Sequence, residues 1–149
     1  MIQRRLVRET VLQAVYAFLQ SGDSSSQILT NVLHESLKED KDALRFGERL
    51  FLGTIEYLSS WDGVIEQHIK NWEIQRLALV DKIILYIALT EFCYFPEIPT
   101  KVTINEAIDI AKKYSTAKSG RFVNGILDAS LIQLQQENKV TKTGRGLID

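Results

Sequence analysis

Apolar residues recur at spacings of three and four along almost the whole chain, and this period limits the possible folds more than any other feature. In the N-terminal segment, Val7, Val11, Ala14, Val15 and Phe18 would form one stripe along a helix. The strict alternation that is typical of half-buried strands is weak throughout. The pattern therefore predicts an all-α protein.

The apolar stripes predict six or seven helices in one bundle. They cover about 2–20, a segment from Ile28 to Leu37, 43–59, a short stretch from Ser60 to Ile69, 75–93, a helix from Thr103, and 119–136. Gly22 should end the first helix, and residues 23–26 (DSSS) should provide a loop and cap. The fifth helix is apolar nearly all round, which predicts a place in the middle of the bundle.

No linker or repeat divides the chain, so we expect one domain over residues 1–137. Thr103 and Glu106 have the spacing of a capping box at the start of the sixth helix. Residues 138–149 are polar, include two glycines and have no period, and this composition predicts a flexible tail.

Composition and terminal sequence indicate a cytoplasmic protein. No stretch approaches the roughly 20 apolar residues that a membrane span needs, and the basic N-terminus lacks the apolar core of a signal peptide. Cys93 is the one cysteine, so an intrachain disulfide is impossible, which suits a reducing compartment. A buried, inert thiol is the expectation for Cys93.

The residues that could carry catalysis or bind a metal do not form a convincing motif. His34 and His68 lie far apart, without a second histidine or cysteine at ligand spacing. Glycine-rich phosphate loops are absent from the sequence. We therefore expect no metal, no cofactor and no enzymatic activity.

The first helix carries a basic cluster that could bind nucleic acid. Arg4 and Arg8 are four residues apart and share a helix face, while Arg5 lies on the side that also holds Tyr16. Guanidinium groups can donate two parallel hydrogen bonds to phosphate, and a tyrosine ring can stack on an unpaired base. A solvated helix face would show the same pattern, so this helix alone leaves both readings open.

Two longer motifs resemble the signature of the NusB family. Residues 99–114 (PTKVTINEAIDIAKKY) match P-x-K-V-x-I-N-E-A-I-x-(I/L)-A-K, and residues 121–128 (RFVNGILD) match (K/R)-F-V-N-G-(V/I)-L-D. The N-terminal Arg4, Arg5, Arg8 and Glu9, with 13–16 (QAVY), resemble that family's first helix, although Val7 and Val15 replace an alanine and a leucine. The resemblance spans most of residues 4–131.

The resemblance implies an all-helical fold of two subbundles and a role in transcription antitermination. Proteins of this family, together with the small-subunit ribosomal protein NusE, bind single-stranded boxA RNA in ribosomal RNA leader transcripts and nucleate an antitermination complex on RNA polymerase. The implied RNA contacts are Arg4, Arg5, Arg8, Tyr16, Lys101, Arg121 and Phe122, with Lys118 adding positive charge beside Arg121. The implied NusE contacts are Glu73, Arg76, Leu77, Asp81 and Ile84.

Several alternatives stay open. Phe122 could instead pack in the core, and Asp81 could be an ordinary solvated helix carboxylate. NusB-like domains also begin ribosomal RNA cytosine methyltransferases, but the sequence ends at Asp149 without a catalytic domain, which favours the adaptor. A homodimer that covers the arginine helix is a third possibility.

Overall fold

The computed structural model describes residues 1–69 and 77–148, and this part of the chain folds into seven helices without strands. They are α1 (Arg4–Ser21), α2 (Ser25–Ile28, continued by the π-helical Leu29–His34 and by Glu35–Leu37), α3 (Lys41–Glu56), α4 (Leu58–Glu66), α5 (Leu79–Tyr94), α6 (Thr100–Tyr114) and α7 (Ala117–Gln136). The all-α prediction is confirmed. Within these described ranges, no helix is both long enough and apolar enough to cross a bilayer.

The chain separates into two compact units, residues 1–56 and 57–149. In the N-terminal unit, α1 packs on α3 and on the π-helical part of α2. Gly47 allows this close packing, because a Cβ atom there would lie 2.9 Å from Leu37 Cδ1 and 3.2 Å from Val7 Cγ1. Substituting a larger residue at this position would therefore push the three helices apart.

The predicted boundaries between α1 and α2 are confirmed. Gly22 ends α1 with a φ of +74°, a left-handed conformation that glycine adopts without steric cost. Ser24 then forms a capping box with Gln27. The Gln27 N–H donates to Ser24 Oγ at 3.2 Å, and the Ser24 N–H donates to Gln27 Oε1 at 2.8 Å.

In the C-terminal unit, α5 is the central helix, as its apolar sequence predicts. Eleven of the twelve residues from Asp81 to Phe92 are buried, and they lie on every side of the helix. Helices α4, α6 and α7 each pack against it. The helix ends at Tyr94, just before Phe95 and Pro96.

The predicted start of α6 is wrong by three residues. The helix begins at Thr100 after Pro99, whose φ of −60° already suits a helix entry. Thr103 therefore lies inside the helix, where it is buried, and its hydroxyl donates to Glu91 Oε1 at 2.8 Å. The capping box expected from the spacing of Thr103 and Glu106 does not form, because the threonine hydroxyl is used in a contact to α5.

The C-terminal segment, for which composition predicts flexibility, makes defined contacts in the structure. Lys142 Nζ donates to the carbonyl oxygens of Glu91 and Phe95 at 3.0 and 2.9 Å. The Thr143 N–H donates to Pro96 O at 3.0 Å, and Gly144–Leu147 forms a short 3₁₀ helix. The Glu91 and Phe95 carbonyls also accept from the Phe95 and Ile98 N–H groups, so Lys142 adds a second donor to each.

Candidate nucleic-acid interface

The arginines of α1 are arranged around one aromatic ring. The guanidinium carbon of Arg4 lies 3.8 Å from the ring centroid of Phe46, and that of Arg8 lies 5.5 Å from the same centroid. Both distances fall within the range of a cation–π contact. Phe46 is a buried residue of α3, so this ring restrains the two side chains at the surface of the N-terminal unit.

Burial distinguishes the basic residues of this cluster. Arg4 is exposed and Arg5 is half-buried, whereas Arg8 is only 4% exposed. An RNA phosphate could reach Arg4 and Arg5 from solvent, but a direct contact with Arg8 would require its side chain to move. Tyr16 is 46% exposed further along α1, as expected for a ring that stacks on a base.

Asp40 holds the N-terminal residues that precede the arginines of α1. Its Oδ2 accepts from the Ile2 N–H at 2.8 Å, and its Oδ1 accepts from the Asp42 and Ala43 N–H groups at 3.1 Å each. The bond from Ile2, followed by that from Ala43, lowers the pKa of Asp40. The ionised carboxylate thereby joins the start of α1 to the start of α3.

The basic residues of the C-terminal unit lie in the first turns of two helices. Lys101 is the second residue of α6, and Lys118 and Arg121 are in the first turns of α7; all three are exposed. Thr116 caps α7 by accepting from the Ser119 N–H at 3.1 Å. Phe122 is half-buried.

Lys112 joins this basic surface, although the sequence-based assignment omitted it. A Cβ atom at Gly120 would lie 2.9 Å from Lys112 Cγ and 3.0 Å from Lys112 Cε, so the lysine stem lies along the backbone at the start of α7. Its ammonium group therefore ends close to the residue preceding Arg121. The available signal was a lysine in the last turn of α6 combined with a glycine early in α7.

Two of the residues assigned to NusE are buried. Asp81 and Ile84 are 6% and 3% exposed, while Leu77 is half-buried just before α5. Glu73 and Arg76 lie outside the described residues. The assignment of this set to NusE stays a prediction, and a partner that contacts Asp81 would have to reach its small exposed surface.

Asp81 instead connects α5 to the first turn of α7. Its Oδ2 accepts from Ser119 Oγ at 2.9 Å, and Ser119 Oγ lies 2.8 Å from Ser115 Oγ. The other carboxylate oxygen, Oδ1, is buried and has no hydrogen-bond partner among the described residues. Burial raises the pKa of Asp81, partly offset by the hydroxyls of Ser119 and Ser115.

Comparison with known proteins gives a consistent result over nearly the whole chain. The model of the NusB family matches residues 5–131. A transcription antitermination protein NusB from Salinibacter ruber is 44% identical over 148 residues, which cover 99% of this chain and 92% of that protein. The corresponding protein of Chloroherpeton thalassium is 38% identical, covering 99% of this chain and 70% of its own length.

Solved structures show the same fold. A structure of T. maritima NusB is 38% identical, covers 89% of this chain and 92% of its own, and superimposes with a TM-score of 0.79. A complex described as antitermination factors NusB and NusE with dsRNA contains a chain 25% identical, covering 87% of this chain and 96% of its own, with a TM-score of 0.78. Sequence and fold agree that this chain belongs to the NusB family.

Proposed function

We propose that this chain is a transcription antitermination factor that binds boxA RNA together with NusE and so nucleates an antitermination complex on RNA polymerase. The observation that carries the proposal is the match of the family model to residues 5–131, which includes Arg5 and Arg8 of the N-terminal unit and the basic residues proposed in the C-terminal unit. The similar chain in the complex of NusB, NusE and dsRNA supports the same partners.

The RNA would contact two sets of side chains. In the N-terminal unit, Arg4 and Arg5 would bind phosphates and Tyr16 would stack on a base, while Arg8 would support Arg4 by packing on the same phenylalanine ring. In the C-terminal unit the phosphate contacts would come from the exposed cations Lys101, Lys112, Lys118 and Arg121. Phe122 would supply a second stacking surface there.

NusE would bind near the start of α5, through Glu73, Arg76, Leu77, Asp81 and Ile84. The burial of Asp81 favours an indirect part for this residue. By holding Ser119, it orients the start of α7, which carries Lys118 and Arg121. Two proteins that share one RNA bind it more tightly than either alone, because the second contact becomes intramolecular.

Fluorescence anisotropy of a short boxA RNA tests the proposal. The protein is titrated with and without NusE, against scrambled single-stranded RNA and against a duplex of the same sequence. We expect NusE to tighten binding of the boxA strand and to leave the scrambled strand unaffected. Equal affinity for boxA and scrambled RNA, in the presence of NusE, would contradict the proposal.

A matched pair of arginine variants locates the RNA surface. Arg121→Ala should weaken binding and lower the slope of log affinity against log salt by about 0.7, the contribution of one phosphate contact on a single strand. Arg45→Ala is the control, because Arg45 is also exposed, lies 3.8 Å from Asp42 on α3 and belongs to neither proposed set. The control variant should bind RNA as the unaltered protein does.

We also propose that the protein works in the cytoplasm as a non-enzymatic adaptor, with residues 1–137 forming the RNA-binding part. Antitermination acts on nascent transcripts, and the lone thiol of Cys93 suits a reducing compartment. The homodimer stays a prediction. Light scattering at two protein concentrations checks it. A mass equal to that of one chain at both concentrations would exclude the homodimer.

A further inference from the structure

The C-terminal unit contains an open cavity with aromatic walls, and none of its lining residues is assigned above to RNA or to NusE. It lies between the start of α4, the end of α5 and the end of α7. Its volume of about 360 Å³ lies in the lower part of the range of small-molecule sites. The side chains that matter for its chemistry are Tyr57, Trp61, Cys93, Tyr94, Leu134 and Lys139.

The aromatic wall is rigidly supported. The rings of Tyr57 and Tyr94 are parallel, with centroids 4.5 Å apart and an interplanar angle of 7°. The Trp61 ring lies 6.2 Å from that of Tyr94, and Trp61 Nε1 donates to Thr90 Oγ1 at 2.9 Å, which fixes the indole. Tyr57 covers one face of the Tyr94 ring, but Tyr94 remains 44% exposed, so a flat ligand would stack on the part of the ring that faces solvent.

A lysine that is paired with a carboxylate lies at the edge of the cavity. Lys139 is the charged side chain among the described residues that line it, and its side chain is 60% exposed. Its Nζ lies 3.1 Å from Glu137 Oε1, an exposed ion pair of the kind that contributes little in water. An incoming phosphate can therefore compete for the ammonium group.

The thiol of Cys93, which lines the cavity, is unsuited to covalent catalysis. Burial raises the pKa of Cys93 to about 11, so the thiol stays protonated and is a poor nucleophile near neutral pH. The cavity thus offers a flat aromatic surface, a neutral apolar wall and one ammonium group. This combination matches a planar ring that carries an anionic group.

We propose that the cavity binds a nucleobase with its phosphate, the base stacked on Tyr94 and the phosphate beside Lys139. Asp81 and Tyr94 lie near opposite ends of α5, about 20 Å apart at the helical rise per residue. The site is therefore separate from the start of α5 proposed for NusE, and it goes beyond the proposed function. A free nucleotide or an unpaired residue of bound RNA could supply the base.

Tryptophan fluorescence provides a direct test. The sequence contains two tryptophans, so Trp72→Phe leaves Trp61 as the single reporter. Titration with UMP or AMP should quench Trp61, and Tyr94→Ala should weaken the binding by about 5- to 150-fold, the loss expected for one stacked base. Tyr94→Phe keeps the ring and should retain the affinity. Circular dichroism and thermal unfolding show whether each variant remains folded.

A second comparison isolates the phosphate. The unaltered protein should prefer UMP to uridine, and Lys139→Gln should remove that preference while leaving uridine binding unchanged. Lys38→Gln is the matched control, because Lys38 is similarly exposed and lies 3.8 Å from Glu35 in the N-terminal unit. It should keep the preference for UMP.

RNA ligands distinguish the two sources of the base. If unpaired nucleotides added to either end of a boxA strand tighten binding, and Tyr94→Ala removes only that gain, the occupant belongs to the RNA. Quenching by mononucleotides without such a gain identifies a free nucleotide. The absence of any Tyr94-dependent response to mononucleotides and to extended RNA overturns the proposal, whatever happens at the arginines of α1.

Discussion

The arginines of α1 show how neighbouring residues of one type can have different tasks. Arg4 and Arg8 contact the same Phe46 ring, but Arg4 faces solvent and Arg8 does not. Arg5 lies between them in sequence and is half-buried. A buried guanidinium supports the packing around it, and its loss affects stability before it affects RNA binding.

We predict that Arg8→Met lowers the free energy of unfolding by about 2 kcal/mol, because a buried charged group with its contacts is removed. Arg5→Ala should leave stability within about 0.5 kcal/mol and weaken RNA binding instead. Urea unfolding and RNA anisotropy on both variants provide the comparison. If Arg8→Met were fully stable yet unable to bind RNA, Arg8 would be a direct contact.

Asp81 predicts a pH dependence of stability. Its pKa in the folded protein is raised above the reference value of 3.8, so the folded state binds the proton more tightly than the unfolded state. The protonated Asp81 carboxyl therefore stabilises the wild-type protein below pH 3.8, and this stabilisation is lost as the pH rises through the raised pKa. Asn cannot ionise, so Asp81→Asn should gain stability relative to wild type over that same rise.

Denaturant unfolding at a series of pH values checks this sign. As pH increases, the free energy of unfolding of Asp81→Asn should rise relative to that of the wild-type protein. This difference should level off above the pKa that Asp81 has in the folded protein. A constant difference across the series would mean that the carboxyl titrates normally. The absolute difference also includes the hydrogen bond to Ser119, so the trend with pH is the informative quantity.

At the scale of helices, the contact between α6 and α7 depends on a glycine, Gly120, where any side chain would collide with Lys112. Gly120 leaves room for the stem of Lys112, which reaches across to the start of α7. Two helices joined by a short turn thereby place cations from both on one surface. A periodic apolar pattern cannot indicate this, because the lysine stem is packed although its residue is exposed.

Gly120→Ala should separate helix stability from RNA binding. Alanine favours a helix by about 0.5–1 kcal/mol over glycine, but its Cβ would meet Lys112 Cγ at 2.9 Å and displace the lysine. We expect a lower RNA affinity, by about 2- to 10-fold for one displaced phosphate contact, without loss of fold.

Gly63→Ala is the control for this substitution. Gly63 is also helical, in α4, and a Cβ atom there would have no neighbour within 4 Å. It should bring the gain in helix stability without any change in RNA affinity, as measured by anisotropy. If Gly120→Ala bound RNA equally well, Lys112 would not belong to the RNA surface.

At the scale of the whole chain, the C-terminal segment returns to the junction of α5 and α6. Lys142 supplies hydrogen bonds to two carbonyl groups at the end of α5. Burial lowers the pKa of this lysine, while Glu91 opposes the shift. Gly146 lies against Pro96, where a Cβ atom would be 1.9 Å from the carbonyl oxygen.

Gly146→Ala should therefore release this segment. We expect faster hydrogen exchange at the amides of Thr143 and Gly146, both of which donate hydrogen bonds in the structure, and a loss of about 1–3 kcal/mol in stability. The exchange rates of the buried amides of α5 measure whether the rest of the unit is preserved. Rapid exchange at Thr143 in the unaltered protein would instead support the flexible tail expected from composition.

The sequence by itself determined the helices, the central position of α5, the capping at Ser24 and the family, since these depend on local spacing and local motifs. Helix periodicity needs only the residues of one segment, and the motifs of 99–114 and 121–128 are each continuous. The same locality explains why Gly22 could be identified as the end of α1.

Tertiary structure decided which polar residues are available for contact. Thr103 bonds to Glu91 rather than capping α6, Asp81 bonds to Ser119, and Lys142 reaches Phe95. Each partner is distant in sequence and comes close only when helices pack, so no spacing rule could identify it. Burial of Arg8 has the same cause, because the ring that covers it belongs to another helix.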